Sequence, residues 1–246
     1  MTSLIDHGGA VAVNYGVRQR IGMILRAENV VAEPQIAAML PPGVSLHTTR
    51  IRMMGPEKLS VLDRLEESAQ LLADARVDRI VFHCTGTSMW RPELPAQINA
   101  RIGAATSLPS FTTADAVLAA LRALEAKNVV LLTPYPQVTN DHERELLARN
   151  GMRVVRDRAM NLKGAHAYAA VEPAAWRDAA VALRGDDVDA YFISCTATRS
   201  AEAIDAIETA LERPAITSNQ AMLWFALRSA GIEDKIDGFG RLLRAL

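Results

Sequence analysis

Cysteine is scarce in this chain: Cys84 and Cys195 are the only two among 246 residues. They could form one disulfide at most, so no disulfide framework holds the fold. In a reducing compartment, thiols at matched strand ends read as chemistry. An excess of either charge is also missing. With 27 Lys plus Arg against 28 Asp plus Glu, no global field draws the chain to nucleic acid or to an anionic membrane. No uninterrupted apolar run approaches the ~20 residues that span a bilayer. The stretch from Met1 to Arg20 carries Asp6 and His7 where a signal peptide needs an unbroken apolar core, which gives the expectation of a cytoplasmic protein whose residues 1–17 are loosely structured. A phosphate-cradling loop is lacking as well. Gly238-Phe239-Gly240 has neither a third glycine nor a predicted helix after it, so no nucleotide cofactor is expected. His7, His47, His83, His142 and His166 show no close metal-ligand spacing, and neither thiol has a cysteine two residues away, so no metal is expected.

What is present is a repeated sentence. Arg79-Ile80-Val81-Phe82-His83-Cys84-Thr85-Gly86-Thr87-Ser88 is a short apolar run ending in a cysteine and small hydroxyl residues. It predicts a buried parallel strand that delivers Cys84 to its carboxyl end, where open α/β sheets bind ligands. Asp189-Ala190-Tyr191-Phe192-Ile193-Ser194-Cys195-Thr196-Ala197-Thr198 repeats the plan. Cys84, Pro109 and Leu121-Arg122 recur as Cys195, Pro214 and Leu227-Arg228 at nearly constant offset. The repeat suggests a duplicated α/β lobe whose pseudo-twofold points the two cysteines at each other across a cleft. An unrelated pair of cysteines would more simply fill the core; the shared Thr context favours function.

The elements read in order as follows. Arg20–Leu25 predicts a strand, and Ala27-Glu28-Asn29 the loop at its end. Glu33-Pro34 opens a short helix that Pro41-Pro42-Gly43 stops. Val44–Ile51 alternates like a strand near an edge, and Leu59, Leu62, Leu65, Ala69 and Leu72 recur at helical spacing. A loop at Trp90-Arg91-Pro92, a helix from Ala96 to Ala104, a strand end at 108–112, a helix from Ala114 to Ala126 and a strand at 128–135 follow. The second half continues with a helix from Asp141 to Arg149 ended by Asn150-Gly151, a strand from Met152 to Val155, a loop with Asn161, a helix around Trp176 to Leu183 and the Cys195 strand. The fold class expected is α/β with two pseudo-symmetric lobes, each a mainly parallel sheet flanked by helices, and the active site in the cleft between them. The lobes are placed at 18–112 plus 219–246 and at 113–218.

The loop Thr85-Gly86-Thr87-Ser88 can present backbone N–H groups and hydroxyls to a carboxylate. The same hydroxyls also serve as plain helix caps. Two such loops facing each other would hold a small dicarboxylate, or an amino acid. Two thiols across one pocket support inversion of a stereocentre, one removing and the other returning a proton, or addition of one thiolate to an electron-poor carbon while its partner handles protons. Strand alternation turns His83 away from Cys84, behind the sheet. The three tryptophans read as core anchors, with Trp90 the one nearest a site loop.

At these residues the chain resembles the maleate cis-trans isomerases of the aspartate/glutamate racemase superfamily, which also contains arylmalonate decarboxylases. The likeness runs through Glu33-Pro34 to Leu40-Pro41, Gly43-Val44-Ser45-Leu46-His47-Thr48-Thr49-Arg50, Cys84-Thr85, Thr133-Pro134-Tyr135, Asn161-Leu162, Ser194-Cys195-Thr196 and Thr217-Ser218-Asn219-Gln220. The resemblance implies a cofactor-free homodimeric enzyme with its site between two lobes. It implies that Cys84 adds to an olefinic carbon of maleate, that the resulting single bond rotates, and that elimination releases fumarate. Cys195 looks like the acid/base thiol. Asn29, Tyr135 and Asn161 match the positions that hold the carboxylates, helped by Thr85, Gly86 and Thr196. Decarboxylases of the superfamily keep only the second cysteine, so Cys84 argues against that activity. The chain departs from the pattern at Arg26-Ala27-Glu28, where the isomerases typically read Pro-Ser-Ser, and at Gly86-Thr87, where Ser-Gly is more usual. A two-cysteine racemase and a non-catalytic small-acid binding protein are the alternatives.

Overall fold

The structure, a computed structural model, describes residues 13–52 and 58–246. The first half runs β1 (Gln19–Arg26), α1 (Ala32–Met39), β2 (Val44–Ile51), α2 (Leu65–Asp74), β3 (Arg79–His83), α3 (Thr85–Ser88), α4 (Leu94–Thr106), β4 (Ser110–Thr112) and α5 (Thr113–Ala123). The second runs β5 (Asn128–Thr133), α6 (Gln137–Arg149), β6 (Arg153–Ala159), α7 (Ala165–Ala169), α8 (Pro173–Val181), β7 (Ala190–Ile193), α9 (Ile204–Leu211), β8 (Ala215–Thr217), α10 (Ser218–Arg228) and α11 (Gly240–Ala245). Residues 1–12, with Asp6 and His7, lie outside the described residues, and 13–17 carry no helix or strand. Among the described residues no helix is long and apolar enough to cross a membrane.

Two parallel four-stranded sheets result, with orders β2-β1-β3-β4 and β6-β5-β7-β8. The two orders are the same when each half is counted from its own first strand, which is the duplication expected from the repeated cysteine motif. In both sheets the chain reverses direction across the sheet between the two central strands, so the switch-point crevice lies between β1 and β3 in one and between β5 and β7 in the other. Val44–Ile51 is the edge strand expected.

Alternation along the strands sorts the side chains into three cores. Ile21, Met23, Leu25 and Val81 from one sheet, and Val129, Leu131 and Phe192 from the other, join α1, α5 and α10 in a central core shared by both sheets. Ile24, Ile80 and Phe82 face outward onto α2 and α4. Val130, Leu132, Tyr191 and Ile193 face outward onto α8 and α9. Trp176 is fully buried in that last layer. α5 and α10, which pack on each other, begin directly after β4 and β8 with reciprocal caps: Thr112 with Asp115, and Thr217 with Gln220. Each cap satisfies N-terminal amides that would otherwise be left unpaired inside the protein.

Three local expectations change. The helix read from Leu59 onward is a 3-10 segment over Lys58–Arg64 before α2 begins at Leu65. The spacing gives the reason: Leu59, Leu62 and Leu65 recur every three residues, the 3-10 period, whereas Leu65, Ala69 and Leu72 follow the α-helical stripe. The strand read at Met152–Val155 runs from Arg153 through Ala159, and its half-buried, Arg-containing second half pairs with β5 as an edge strand. A helix does follow Gly238-Phe239-Gly240: α11 packs on α10 and β8. At the end of α6, Gly151 takes the left-handed conformation expected, with φ +83°.

Candidate active site

A cavity of about 330 Å³ lies where the two switch points meet. Loops from both sheets line it: Arg26, Glu28 and Asn29 after β1, Cys84 to Thr87 after β3, Tyr135 and Pro136 after β5, and Cys195 to Ala197 after β7. Both sulfurs border this one space, each nearly buried at 8% and 5% exposure. Of the residues singled out in the sequence, Cys84, Cys195, Asn29, Thr85, Gly86, Tyr135 and Thr196 line the cavity. Asn161 does not. It is exposed, at φ +54°, and its Oδ1 accepts from the Gln137 N–H at 3.1 Å while its own N–H donates to the Tyr135 carbonyl at 3.1 Å. It braces the Tyr135 turn from outside.

The two thiols sit differently. Cys84 has extended backbone, φ −153°, and caps α3. Its S–H donates to Thr87 Oγ1 at 3.2 Å. Arg26 lies close enough to interact electrostatically with Cys84, and it forms an ion pair with Glu28. Glu28 therefore does not turn away from the cavity. Although burial pulls the Arg26 guanidinium down, Cys84, Glu28 and Tyr135 together hold it above its ordinary value.

Cys195 adopts φ +96°, a backbone conformation that costs an L residue roughly 1–3 kcal/mol. The conformation aims two donors at the sulfur: the Ala197 N–H at 3.3 Å and the Tyr135 hydroxyl. Both would stabilise a thiolate. Burial outweighs them and pushes the Cys195 thiol up to about 12. Tyr135 is raised well above the ordinary phenol by burial first, then by Cys195 and Glu143. At neutral pH both groups therefore carry their protons.

The loops are tied together across the pseudo-symmetry. Ser218 Oγ accepts from the Cys195 N–H at 3.1 Å and from Thr85 Oγ1 at 2.8 Å, so one hydroxyl at the start of α10 holds both cysteine loops. Asn29 Oδ1 accepts from the Val31 and Ala32 N–H groups at 2.9 and 3.0 Å, and its Nδ2 donates to Thr196 Oγ1 at 3.0 Å. Since an amide nitrogen carries two donors, Asn29 spans the halves and keeps capacity for a ligand. His83 does not line the cavity, but it faces the central core between the sheets rather than the back of its own sheet, because it shares the parity of Val81; it is bonded to Thr113 Oγ1 at 3.1 Å and Asn219 Oδ1 at 2.8 Å. Burial lowers its pKa to about 4, so it is a neutral strut.

Residues that the sequence did not single out also line the cavity. Tyr168 of α7 meets Tyr135 edge-on at 5.6 Å between ring centroids, and Thr139 of α6 also borders the cavity. Their nearness depends on how α6 and α7 fold back over β5, which no local pattern encodes. Trp90 lies outside the cavity, against the His142 ring at 3.9 Å. Among the described residues, no group of three or more His, Cys, Asp or Glu side chains could hold a metal ion.

The profile of the arylmalonate decarboxylase family matches residues 28–243. A maleate isomerase of Nocardia farcinica is 29% identical over 244 residues, covering 93% of this chain and 96% of that protein. Among solved structures, a cysteine-to-alanine variant of the maleate isomerase of Pseudomonas putida S16, solved with maleate, is 27% identical and superposes with a TM-score of 0.87 over 92% of this chain and 97% of that one. Unliganded arylmalonate decarboxylase is 28% identical, with a TM-score of 0.80 over 92% and 98% of the two chains.

Proposed function

Since the chain belongs to the arylmalonate decarboxylase family, and maleate isomerases are similar to it over nearly its whole length, we propose that it is a cofactor-independent cis-trans isomerase of a small unsaturated dicarboxylate, with maleate to fumarate as the reference reaction. The observation that carries this reading is the pair of unlike thiols on one cavity.

In this reading the Cys84 sulfur adds as a thiolate to one olefinic carbon, and the π electrons move toward the carboxyl group on the adjacent carbon. The Arg26 guanidinium lies within electrostatic reach of the sulfur that carries the charge. Cys195, held as a thiol, donates its proton to the adjacent carbon, leaving a saturated thioether and a Cys195 thiolate. Tyr135 and the Ala197 N–H stabilise that thiolate for the life of the adduct. The central carbon–carbon bond is now single and rotates. Cys195 then takes a proton back from carbon, the C–S bond breaks, and the trans double bond forms with the Cys84 thiolate restored. Substrate and product have the same composition, so nothing is consumed and no redox partner is required.

The carboxylates fall to Asn29, Thr85, Gly86 and Thr196, all of which border the space, while the single Tyr135 O–H stays on the Cys195 sulfur. Two cysteines also favour this reading over decarboxylation, for which the related enzymes keep only the second. The test is proton NMR of maleate incubated with the protein alone. Loss of the maleate signal with matching growth of fumarate is expected, and Cys84→Ala should abolish it. Full activity in that variant would exclude the addition mechanism. Deuterium exchange at the α-carbon of an amino acid, without any isomerisation, would point to a racemase instead.

A further inference from the structure

Arg26 and Glu28 are the only oppositely charged side chains among the described residues lining the cavity, and they are paired with each other. One guanidinium nitrogen, Nη2, is engaged by Glu28, and Nε is buried away from the cavity. The pair is part-buried, with side-chain exposures of 27% and 34%, so its charges are screened less than those of surface pairs. The rest of the lining carries uncharged donors, among them Asn29 and Thr196.

A dianion matches this layout poorly. One of its carboxylates would have to share the Arg26 end with the Glu28 carboxylate, and two like charges in a half-buried site repel. A group that is both acceptor and donor fits the pair better. A primary amide offers its carbonyl oxygen to the guanidinium and its N–H to Glu28, while the single carboxylate takes the uncharged donors of the remaining lining. We propose that the Arg26–Glu28 pair makes this cavity select a cis-unsaturated half-amide, a four-carbon acid with one carboxylate and one primary amide, over the corresponding dicarboxylate. The proposal rests on the isomerase reading and narrows its substrate class. The amide keeps the adjacent double bond electron-poor, so addition by Cys84 and proton donation by Cys195 proceed as written above, with no additional reactant.

The experiment compares the monoamide of maleic acid with maleate by proton NMR, in the wild type and in Glu28→Gln and Glu28→Ser, with folding of each variant checked by circular dichroism. The wild type is expected to favour the half-amide by at least ~10-fold in kcat/KM, and each variant to shift the ratio toward maleate by ~10-fold or more, chiefly through a lower KM for the dianion. If one variant fails to fold, the other carries the comparison. A wild type that turns over maleate as well as or better than the half-amide would overturn the proposal while leaving the isomerase reading intact. So would a ratio unmoved by removal of the Glu28 charge. Turnover of neither compound in any of the three proteins would overturn both.

Discussion

Cys84 and Cys195 leave equivalent strands of two sheets with the same order, yet their surroundings differ. Cys84 sits in relaxed extended backbone beside a charged pair. Cys195 sits at φ +96° in a buried corner that holds its proton. A duplicated lobe supplies two matched strand ends; the loops that follow β1 and β5 then differentiate them, with Arg26 and Glu28 on one side and Tyr135 on the other. Duplication provides position, and the neighbouring loop provides chemistry.

The sharpest way to break the symmetry is to remove each sulfur in turn. Cys84→Ala takes away the adding atom and should lower turnover by more than ~10⁴-fold, whereas Cys195→Ala removes a proton donor and should cost ~10²–10⁴-fold; equal losses in kcat with identical pH profiles would mean equivalent roles. The next contrast lies in the hydroxyls at each sulfur. Tyr135→Phe should reduce kcat by ~10²-fold by removing one of two donors to the Cys195 thiolate, while Thr87→Val, 3.2 Å from the Cys84 sulfur, should cost less than ~10-fold, because Arg26 remains within electrostatic reach of that thiolate. Steady-state kinetics on the two variants decide it.

Stability offers two further contrasts. His83 occupies the place just before Cys84 that Ser194 occupies before Cys195, and only His83 titrates. Its folded pKa of about 4 lies below the ordinary 6.5, so the unfolded chain takes up the proton first as pH falls. The stabilisation is complete above pH 6.5 and is lost on acidification through about pH 4, amounting to ~3 kcal/mol at most. Urea titrations across that range should show the loss, and His83→Gln should flatten it. The smallest effect concerns backbone strain. At position 195 glycine should be more stable than alanine by ~1 kcal/mol, since φ +96° penalises a Cβ; at position 84, in extended backbone, alanine should be the more stable by ~0.5–1 kcal/mol. Thermal unfolding of the four variants tests both halves of that statement.

Most of the fold was legible because strand alternation is local: the parity of Ile80, Val81 and Phe82 alone assigns each to the outer or central core and turns His83 to the face opposite that of Cys84. The repeated Cys-Thr motif likewise announced two matching sheets. The 3-10 segment at Lys58–Arg64 and the second half of β6 were misread because their stripes are short and their exposed faces polar. At the site, residues following strands β1, β3, β5 and β7 were recoverable, since strand ends converge at switch points. Asn161 was not, because its role as a brace depends on a left-handed turn that aims its side chain at Gln137. Tyr168 and Thr139 were hidden for the same kind of reason: each reaches the cavity through tertiary packing, which no spacing along the chain reports.

The division of labour between the two sulfurs can be measured without knowing the substrate. Limited alkylation with iodoacetamide near neutral pH, followed by peptide mapping at timed intervals, should place the label on Cys84 first and leave Cys195 largely unmodified until the pH approaches about 12. Labelling of Cys195 at the same rate as Cys84, or ahead of it, would contradict the account.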